Sequence, residues 1–114
     1  MSVPGRLRNS ADIRRVRRLR DSVSLKSMVA YRRAASSNTS RLGIAVNKRT
    51  GNAVRRNRIR RRLRAAFAMG IDAGFAPMDI LAIGRSAAAE LPFVDLIYQC
   101  QRVLETPLRQ EPSN

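Results

Sequence analysis

Residues 55–64 carry seven arginines in ten positions and constrain the fold of this chain more than any other segment. The two apolar positions among them are Ile59 and Leu63, and Ala66 and Phe67 continue the same stripe. At 3.6 residues per turn these four side chains share one side of an α-helix. The segment therefore predicts a helix that packs through this stripe and turns a dense cationic face outward.

Five polar side chains of this segment lie opposite or beside the apolar stripe: Asn57, Arg61 and Arg64 near the far pole, with Arg58 and Arg60 on the flanks. A merely solvated or disordered face is the alternative interpretation, since charge runs are often of that kind. A solvated helix face would carry i,i+4 pairs of opposite charge, however, and residues 22–71 contain no acidic residue. We therefore expect a nucleic-acid-binding helix, because such a face repels itself unless a polyanion binds it.

The 114-residue chain has a net charge of +15, and the excess of positive charge lies in its first part. Residues 1–64 carry a charge of +18 and residues 65–114 a charge of −3. The length predicts a single domain. Cys100 is the only cysteine, and no apolar run approaches the ~20 residues of a membrane span. We expect a cytoplasmic protein with no disulfide, no secretion signal and no membrane partner.

Apolar periodicity and turn residues predict six elements in a mixed order. Helices are expected at residues 11–19 with Ser10 as the N-cap, at 53–69, and after Pro92 as far as Leu104; strands are expected at 23–31, 41–47 and 79–84. Residues 1–9 are expected to form a basic, flexible lead-in, and residues 106–114 a frayed tail. The order of helices and strands predicts the α+β class, with helices packed on a small sheet.

The chain lacks the combinations of side chains that perform catalysis in most enzymes. The chain has no histidine, which excludes thiol–imidazole catalysis and zinc-finger ligation. The acidic residues after position 64 are scattered and form no close pair of the kind found in two-metal nucleases. Gly51 stands outside any glycine-rich phosphate loop. The sequence therefore indicates a binding subunit.

Tyr31 is the one aromatic residue on a predicted strand of the basic half. A half-buried core tyrosine and a base-stacking tyrosine are both compatible with this position. Aromatic residues make up only 4% of the chain, which argues against a sheet that stacks several bases.

Residues 41–67 resemble the bacterial ribonuclease P protein subunit. The shared features follow in order: a strand, the turn Arg49-Thr-Gly51-Asn-Ala-Val, the Arg56-Asn57-Arg58 motif within the arginine helix, and Phe67 near its end. A weaker similarity extends on both sides, over residues 7–16 and 79–85. The resemblance covers nearly the whole domain, and its middle third is specific.

This resemblance implies an αβ sandwich with an unusual left-handed strand–helix–strand crossover. It also implies that a catalytic RNA cuts the 5′ leader from precursor tRNA with magnesium bound chiefly by the RNA. The isolated protein is expected to be inactive, because it has no histidine and no acidic cluster. The residues expected to bind the RNA subunit are Arg55, Arg56, Asn57, Arg58, Arg60, Arg61 and Arg64. The residues expected to bind the leader, in a cleft between the first helix and the sheet, are Ile13, Arg17, Tyr31 and Lys48.

Ile13 and Arg17 stand where the family usually has two aromatic residues. Leader binding is therefore expected to depend more on Arg17 and Tyr31. A basic ribosomal or ribosome-assembly protein is the main alternative, but such a protein needs only the charge and not the Arg56-Asn57-Arg58 motif in its strand–turn–helix setting. A sequence-specific DNA-binding module is disfavoured, because a face made of arginine contacts phosphates rather than base edges.

Overall fold

The computed structural model describes residues 4–72 and 74–108. Five strands form one sheet: β1 (Gly5–Arg6), β2 (Ser22–Ser24), β3 (Met28–Ala34), β4 (Arg41–Val46) and β5 (Met78–Gly84). Three α-helices pack on it: α1 (Ser10–Arg18), α2 (Ala53–Ile71) and α3 (Phe93–Glu105). Two short 3₁₀ turns, Lys48–Thr50 and Ser86–Ala89, lie before α2 and after β5.

The sheet is mixed, and its strand order is β1-β4-β5-β3-β2. β4 lies parallel to β1 and β5, whereas β3 lies antiparallel to β5 and β2. The parallel neighbours β4 and β5 are connected through α2, so the predicted strand–helix–strand crossover is present. The α+β class with helices on a small mixed sheet is confirmed, and the left hand of the crossover stays a prediction.

Alternate side chains of the central strand β5 show that the helices cover both faces of the sheet. Ile80 and Ala82 belong to the larger core cluster with residues of α2 and α3, whereas Leu81 packs with Val16 of α1. Because successive side chains of a strand point to opposite faces, α1 lies on one face and α2 and α3 lie on the other.

The predicted apolar stripe of α2 is confirmed: Ile59, Leu63, Ala66 and Phe67 are all fully buried. The close approach of this stripe to the sheet depends on Gly84 at the end of β5. A Cβ atom at Gly84 would lie only 2.7 Å from Cγ2 of Ile59, a distance at which one of the two would have to move. The missing side chain therefore lets α2 lie directly on the sheet.

The long strand predicted at 23–31 is wrong, because the structure has two antiparallel strands, β2 and β3, joined by a turn. Ser27 in this turn is fully buried, and its backbone N–H and hydroxyl both donate to Oε1 of Gln99 in α3. The apolar alternation continues through the turn, so the reversal has no local signal in the sequence. Its cause is a hydrogen-bonding partner that lies 72 residues away in the sequence.

Arg32 of β3 is buried, with 1% of its surface exposed, and it holds the end of α3. Its Nη2 donates to Oδ1 of Asp21 at 2.5 Å, and its Nη1 donates to the carbonyls of Val103 at 2.7 Å and Thr106 at 2.5 Å. A buried guanidinium needs such partners. Nη2 also donates to the carbonyl of Pro107 at 3.3 Å, and Leu108 packs against the core. Residues 106–108 therefore have partners in the fold, in contrast to the frayed tail expected there, and residues 109–114 lie outside the described part.

The start of the chain is also more ordered than expected. β1 pairs with β4, and Leu7 is buried with 3% of its surface exposed. Gly43 of β4 allows this close packing, because a Cβ atom there would lie 2.9 Å from the carbonyl oxygen of Leu7. This long-range packing corrects the flexible lead-in for residues 4–9, while residues 1–3 lie outside the described part. Asn9, not Ser10, caps α1, since its Oδ1 accepts from the N–H of Ala11 at 2.8 Å.

Candidate nucleic-acid interface

The arginine helix α2 begins at a turn that two residues define. Gly51 has a φ of +151°, a value that side-chain-bearing residues rarely adopt, and a Cβ atom there would lie 2.6 Å from Cδ of Arg55. Asn52 is the N-cap, and its Oδ1 accepts from the N–H of Arg55 at 2.9 Å. The first turn of α2 is thereby fixed by local chemistry, as the sequence indicated.

On one flank of α2 the arginines donate hydrogen bonds to backbone carbonyls of the same chain. Arg62 Nη1 donates to the carbonyl of Ala88 at 2.7 Å, and its Nη2 donates to the carbonyl of Leu91. Arg58 Nε donates to the carbonyl of Ala89 at 3.0 Å. These guanidinium groups therefore hold the 3₁₀ turn after β5 against the helix.

Arg55 extends this flank toward the start of the helix. Its Nη2 donates to Oγ of Ser86 at 2.8 Å and to Oε1 of Glu90 at 3.1 Å. Arg55 and Arg58 were expected to bind RNA, and the structure adds an intramolecular role that the sequence did not reveal. Partners in a turn some 30 residues away leave no local signal in the sequence, which is also why Arg62 was missed.

The outer face of α2 is formed by Val54, Asn57, Arg60 and Arg61, which are exposed and line a shallow groove. Arg60 Nη1 donates to Oδ1 of Asn57 at 2.9 Å, which orders this pair without neutralising the charge. Within residues 4–72 and 74–108, no carboxylate forms an ion pair with Arg60 or Arg61. The face is therefore both cationic and open to a ligand.

The other flank of α2 joins a second group of arginines. Partial burial lowers the pKa of Arg64, and the positive charges of Arg6 and Arg8 lower it further. Nε of Arg56 is buried, and no atom of the described part accepts a hydrogen bond from it. The mutual repulsion of Arg6, Arg8 and Arg64 would be relieved by a bound anion. Arg6 and Arg8 were missed as site residues, although the charge of the predicted lead-in was a signal.

Three of the four residues expected at the leader lie together on the α1 side of the sheet. Ile13 and Tyr31 are half-buried and pack against a small cluster that includes Val16 and Leu81. The guanidinium carbon of Arg17 lies 5.5 Å from the centroid of the Tyr31 ring, within the range of a cation–π interaction. Tyr31 is thus partly a core residue, and it also supports an exposed arginine.

Lys48, the fourth of these residues, lies away from this cluster. It is exposed in the 3₁₀ turn that follows β4. Tyr31 pairs with Leu81, whereas the last residue of β4 pairs with Gly84, three residues further along β5. This register separates Lys48 from Tyr31 by at least roughly 10 Å along the sheet.

Comparison with known proteins decides the family. The sequence model described as Ribonuclease P matches residues 1–107. This chain belongs to the ribonuclease P protein family. The family predicted from the arginine helix is confirmed, and with it the role of the chain as the protein subunit of ribonuclease P, with RNA binding and tRNA processing as its function.

Relatives in this family match over most of their length. The ribonuclease P protein component of Clostridioides difficile is 35% identical over 91 residues, which cover 79% of this chain and 80% of that protein. That of Paramagnetospirillum magneticum is 36% identical over 108 residues, covering 86% and 81%. The solved ribonuclease P protein of Staphylococcus aureus has a TM-score of 0.72 at 29% identity, covering 92% and 94% of the two chains. That of Thermotoga maritima has a TM-score of 0.74 at 26% identity, covering 88% and 94%.

Two further polar groups of the described residues are held within the fold. Burial raises the pKa of the Cys100 thiol, so it stays protonated and cannot act as a nucleophile. Arg41 binds Asp79 through two hydrogen bonds, at 2.9 and 2.8 Å, and reaches Asp12 at 3.1 Å; the Asp79 bond is the main reason why the pKa of Arg41 is raised. These carboxylates join α1 to the sheet.

No helix in the described ranges could cross a membrane.

The division of α2 into two faces predicts different effects for neighbouring arginines. Arg62→Ala should lower the free energy of unfolding by about 1–2 kcal/mol, because the carbonyls of Ala88 and Leu91 lose a charged donor. Arg61→Ala, the matched control, should change it by less than about 0.5 kcal/mol, since Arg61 is exposed. Urea unfolding followed by circular dichroism measures both values. Equal stabilities of the two variants would contradict the assignment of this flank.

Proposed function

We propose that this protein binds the catalytic RNA of ribonuclease P through the outer face of α2. The observation that carries the proposal is the groove of Asn57, Arg60 and Arg61, an exposed arginine surface that no carboxylate of the described residues neutralises. Guanidinium groups bind phosphate through paired hydrogen bonds, and the helix presents them in a fixed array. An RNA backbone is the polyanion that such an array fits.

The remaining arginines of α2 widen this proposed interface. Arg64, together with Arg6 and Arg8, extends the cationic surface on one flank. Arg56 lies on the same side of the helix, nearer to the sheet, with its Nε buried. On the opposite flank Arg58 uses only Nε for its bond to Ala89, so its two terminal nitrogens can reach a phosphate. Arg55 donates hydrogen bonds to the 3₁₀ turn and would also lie at the edge of the bound RNA.

The α1 side of the sheet is proposed to bind the 5′ leader of precursor tRNA. The Arg17 guanidinium lies over the Tyr31 ring, and a base of the leader can stack on the ring when Arg17 turns away to contact a phosphate. Ile13 contributes apolar contact beside the ring. Lys48, some distance along the sheet, would contact a phosphate of the same strand of RNA. A single strand several nucleotides long can span that distance.

In this proposal the RNA performs the chemistry, the magnesium-dependent endonucleolytic cut that removes the leader and forms the mature 5′ end of the tRNA. Magnesium is proposed to be held chiefly by the RNA, because no group of three His, Cys, Asp or Glu residues within 4–72 and 74–108 could hold a metal ion. The chain has no histidine to act as a general base. The residues of this chain bind and orient the catalytic RNA and the precursor tRNA.

Reconstitution with a bacterial ribonuclease P RNA tests the proposal. At a magnesium concentration too low for the RNA alone, adding the protein should restore cleavage of precursor tRNA at the 5′ end of the mature sequence. The protein without RNA should not cleave. No stimulation of the RNA, or metal-dependent cleavage by rigorously RNA-free protein, would contradict the proposed division of labour.

The leader contact makes a separate prediction. Tyr31→Leu keeps an apolar side chain against Val16 and Leu81 but removes the stacking face. It should weaken binding of precursor tRNA by about 1 kcal/mol, roughly fivefold, with no change for leaderless tRNA. Equilibrium binding to the reconstituted complex measures both affinities. Tyr98→Leu is the matched control, since Tyr98 lies on α3, on the other side of the sheet, with 68% of its surface exposed.

An equal loss of affinity for both substrates in the Tyr31→Leu variant would place Tyr31 outside the leader site. So would a loss of the same size in the Tyr98→Leu control, because that variant leaves the α1 side of the sheet intact.

A further inference from the structure

A second cationic groove lies on the solvent side of α1. It is lined by four exposed arginines, Arg14, Arg17, Arg18 and Arg20. Arg14, Arg17 and Arg18 are spaced three and four residues apart and so share one side of the helix, while Arg20 follows the last turn. From Arg14 to Arg18 the helix rises by roughly 6 Å.

The nearby carboxylates are bound elsewhere. Asp12 contacts Arg15 at 3.7 Å and Arg41 at 3.1 Å, and Asp21 is buried against Arg32 at 2.5 Å. In the described ranges 4–72 and 74–108, none of the four groove arginines forms an ion pair. Like charges at this spacing destabilise a helix, so the groove is suited to an anionic ligand.

Arg20 has a backbone conformation that residues with a side chain rarely adopt. Its φ of +53° lies in the left-handed region, and no other non-glycine residue of the described chain has a positive φ. Glycine adopts this conformation without strain, whereas an L-residue with a Cβ atom does so at a cost. The turn would therefore form at least as well with glycine at this position. The arginine side chain instead adds a fourth guanidinium group to the groove.

Arg17 belongs to both the groove and the Tyr31 cluster, because its guanidinium lies over the Tyr31 ring. The groove therefore continues directly from the surface proposed for the leader. It lies on the opposite face of the sheet from α2, where the catalytic RNA is proposed to bind. An RNA strand that runs past Tyr31 and away from the catalytic RNA would next reach Arg18, Arg14 and Arg20.

We propose that the groove of Arg14, Arg17, Arg18 and Arg20 binds backbone phosphates of the distal leader, upstream of the nucleotides that lie at Tyr31. This inference rests on the proposed function, in which the leader lies beside Tyr31. The groove arginines bind phosphates, so their binding is independent of sequence. Their effect is confined to precursors whose leader is long enough to reach α1.

The test uses the full-length protein reconstituted with a bacterial ribonuclease P RNA. Its substrates are precursor tRNAs with leaders of about 4 and about 16 nucleotides, lengths that bracket common single-strand site sizes, together with leaderless tRNA. The variants are Arg20→Gly, Arg18→Gln and the double variant, and Arg15→Gln is the matched control. Arg15 lies on the same helix and its substitution removes the same charge, but it pairs with Asp12 and does not line the groove.

Arg18→Gln and Arg20→Gly should each weaken binding of the long-leader precursor roughly two- to fivefold, and the salt slope should become shallower by about 0.7 for each phosphate that is no longer neutralised. Binding of the short-leader precursor and of leaderless tRNA should not change. Arg20→Gly should not lower the thermal unfolding midpoint, because glycine accepts a positive φ, so its weaker binding cannot be attributed to unfolding.

Unchanged affinity for the long-leader precursor, an equal loss for all three RNAs, or an equal loss in Arg15→Gln would each overturn the inference. Failure of the proposed function has a different signature. In that case the wild-type complex itself would bind precursor and leaderless tRNA equally, whatever the length of the leader.

Discussion

The apolar stripe of α2 has to face the sheet, and this requirement sets the direction of every arginine on the helix. Ile59 and Leu63 pack where Gly84 has no side chain, so the helix can neither rotate nor lift without exposing them. With the stripe fixed, Arg62 and Arg58 meet the turn after β5, and Arg60 and Arg61 point to solvent. One hydrophobic contact thereby divides a uniform run of charge into a structural flank and a binding face.

The acidic residues complete this division. Asp12, Asp21, Asp79 and Glu90 all pair with arginines of the same chain. These pairs join α1 to the sheet, hold the end of α3 and fix the turn beside α2. Because these four carboxylates are used within the fold, they do not neutralise the arginines that remain exposed. A strongly basic protein of this size can therefore fold and still present two cationic surfaces, one on each side of the sheet.

How much of this the sequence could predict depends on the range of the contacts. The stripe of α2, the turn at Gly51 and Asn52 and the family motif are local patterns, and the sequence shows all of them. The turn at Ser27 and the clamp at Arg32 depend on partners more than 70 residues away, so the alternation of β2 and β3 looks continuous in the sequence and the end of α3 looks frayed. The bonds of Arg62 to backbone carbonyls could not be predicted either. Every residue has a carbonyl, so the residue types do not indicate which one accepts a hydrogen bond.

The salt dependence of binding to the catalytic RNA tests the central claim most directly, namely that the outer face of α2 is the source of RNA affinity. The logarithm of the affinity should fall linearly with the logarithm of salt concentration, and Arg60→Ala/Arg61→Ala should reduce the slope by about 0.7–0.9 for each phosphate that the variant no longer neutralises. Arg15→Ala/Arg102→Ala removes the same charge from α1 and from the last turn of α3, and should leave the slope nearly unchanged. If both double variants reduced the slope equally, net charge rather than the outer face of α2 would account for binding, and the claim would be wrong.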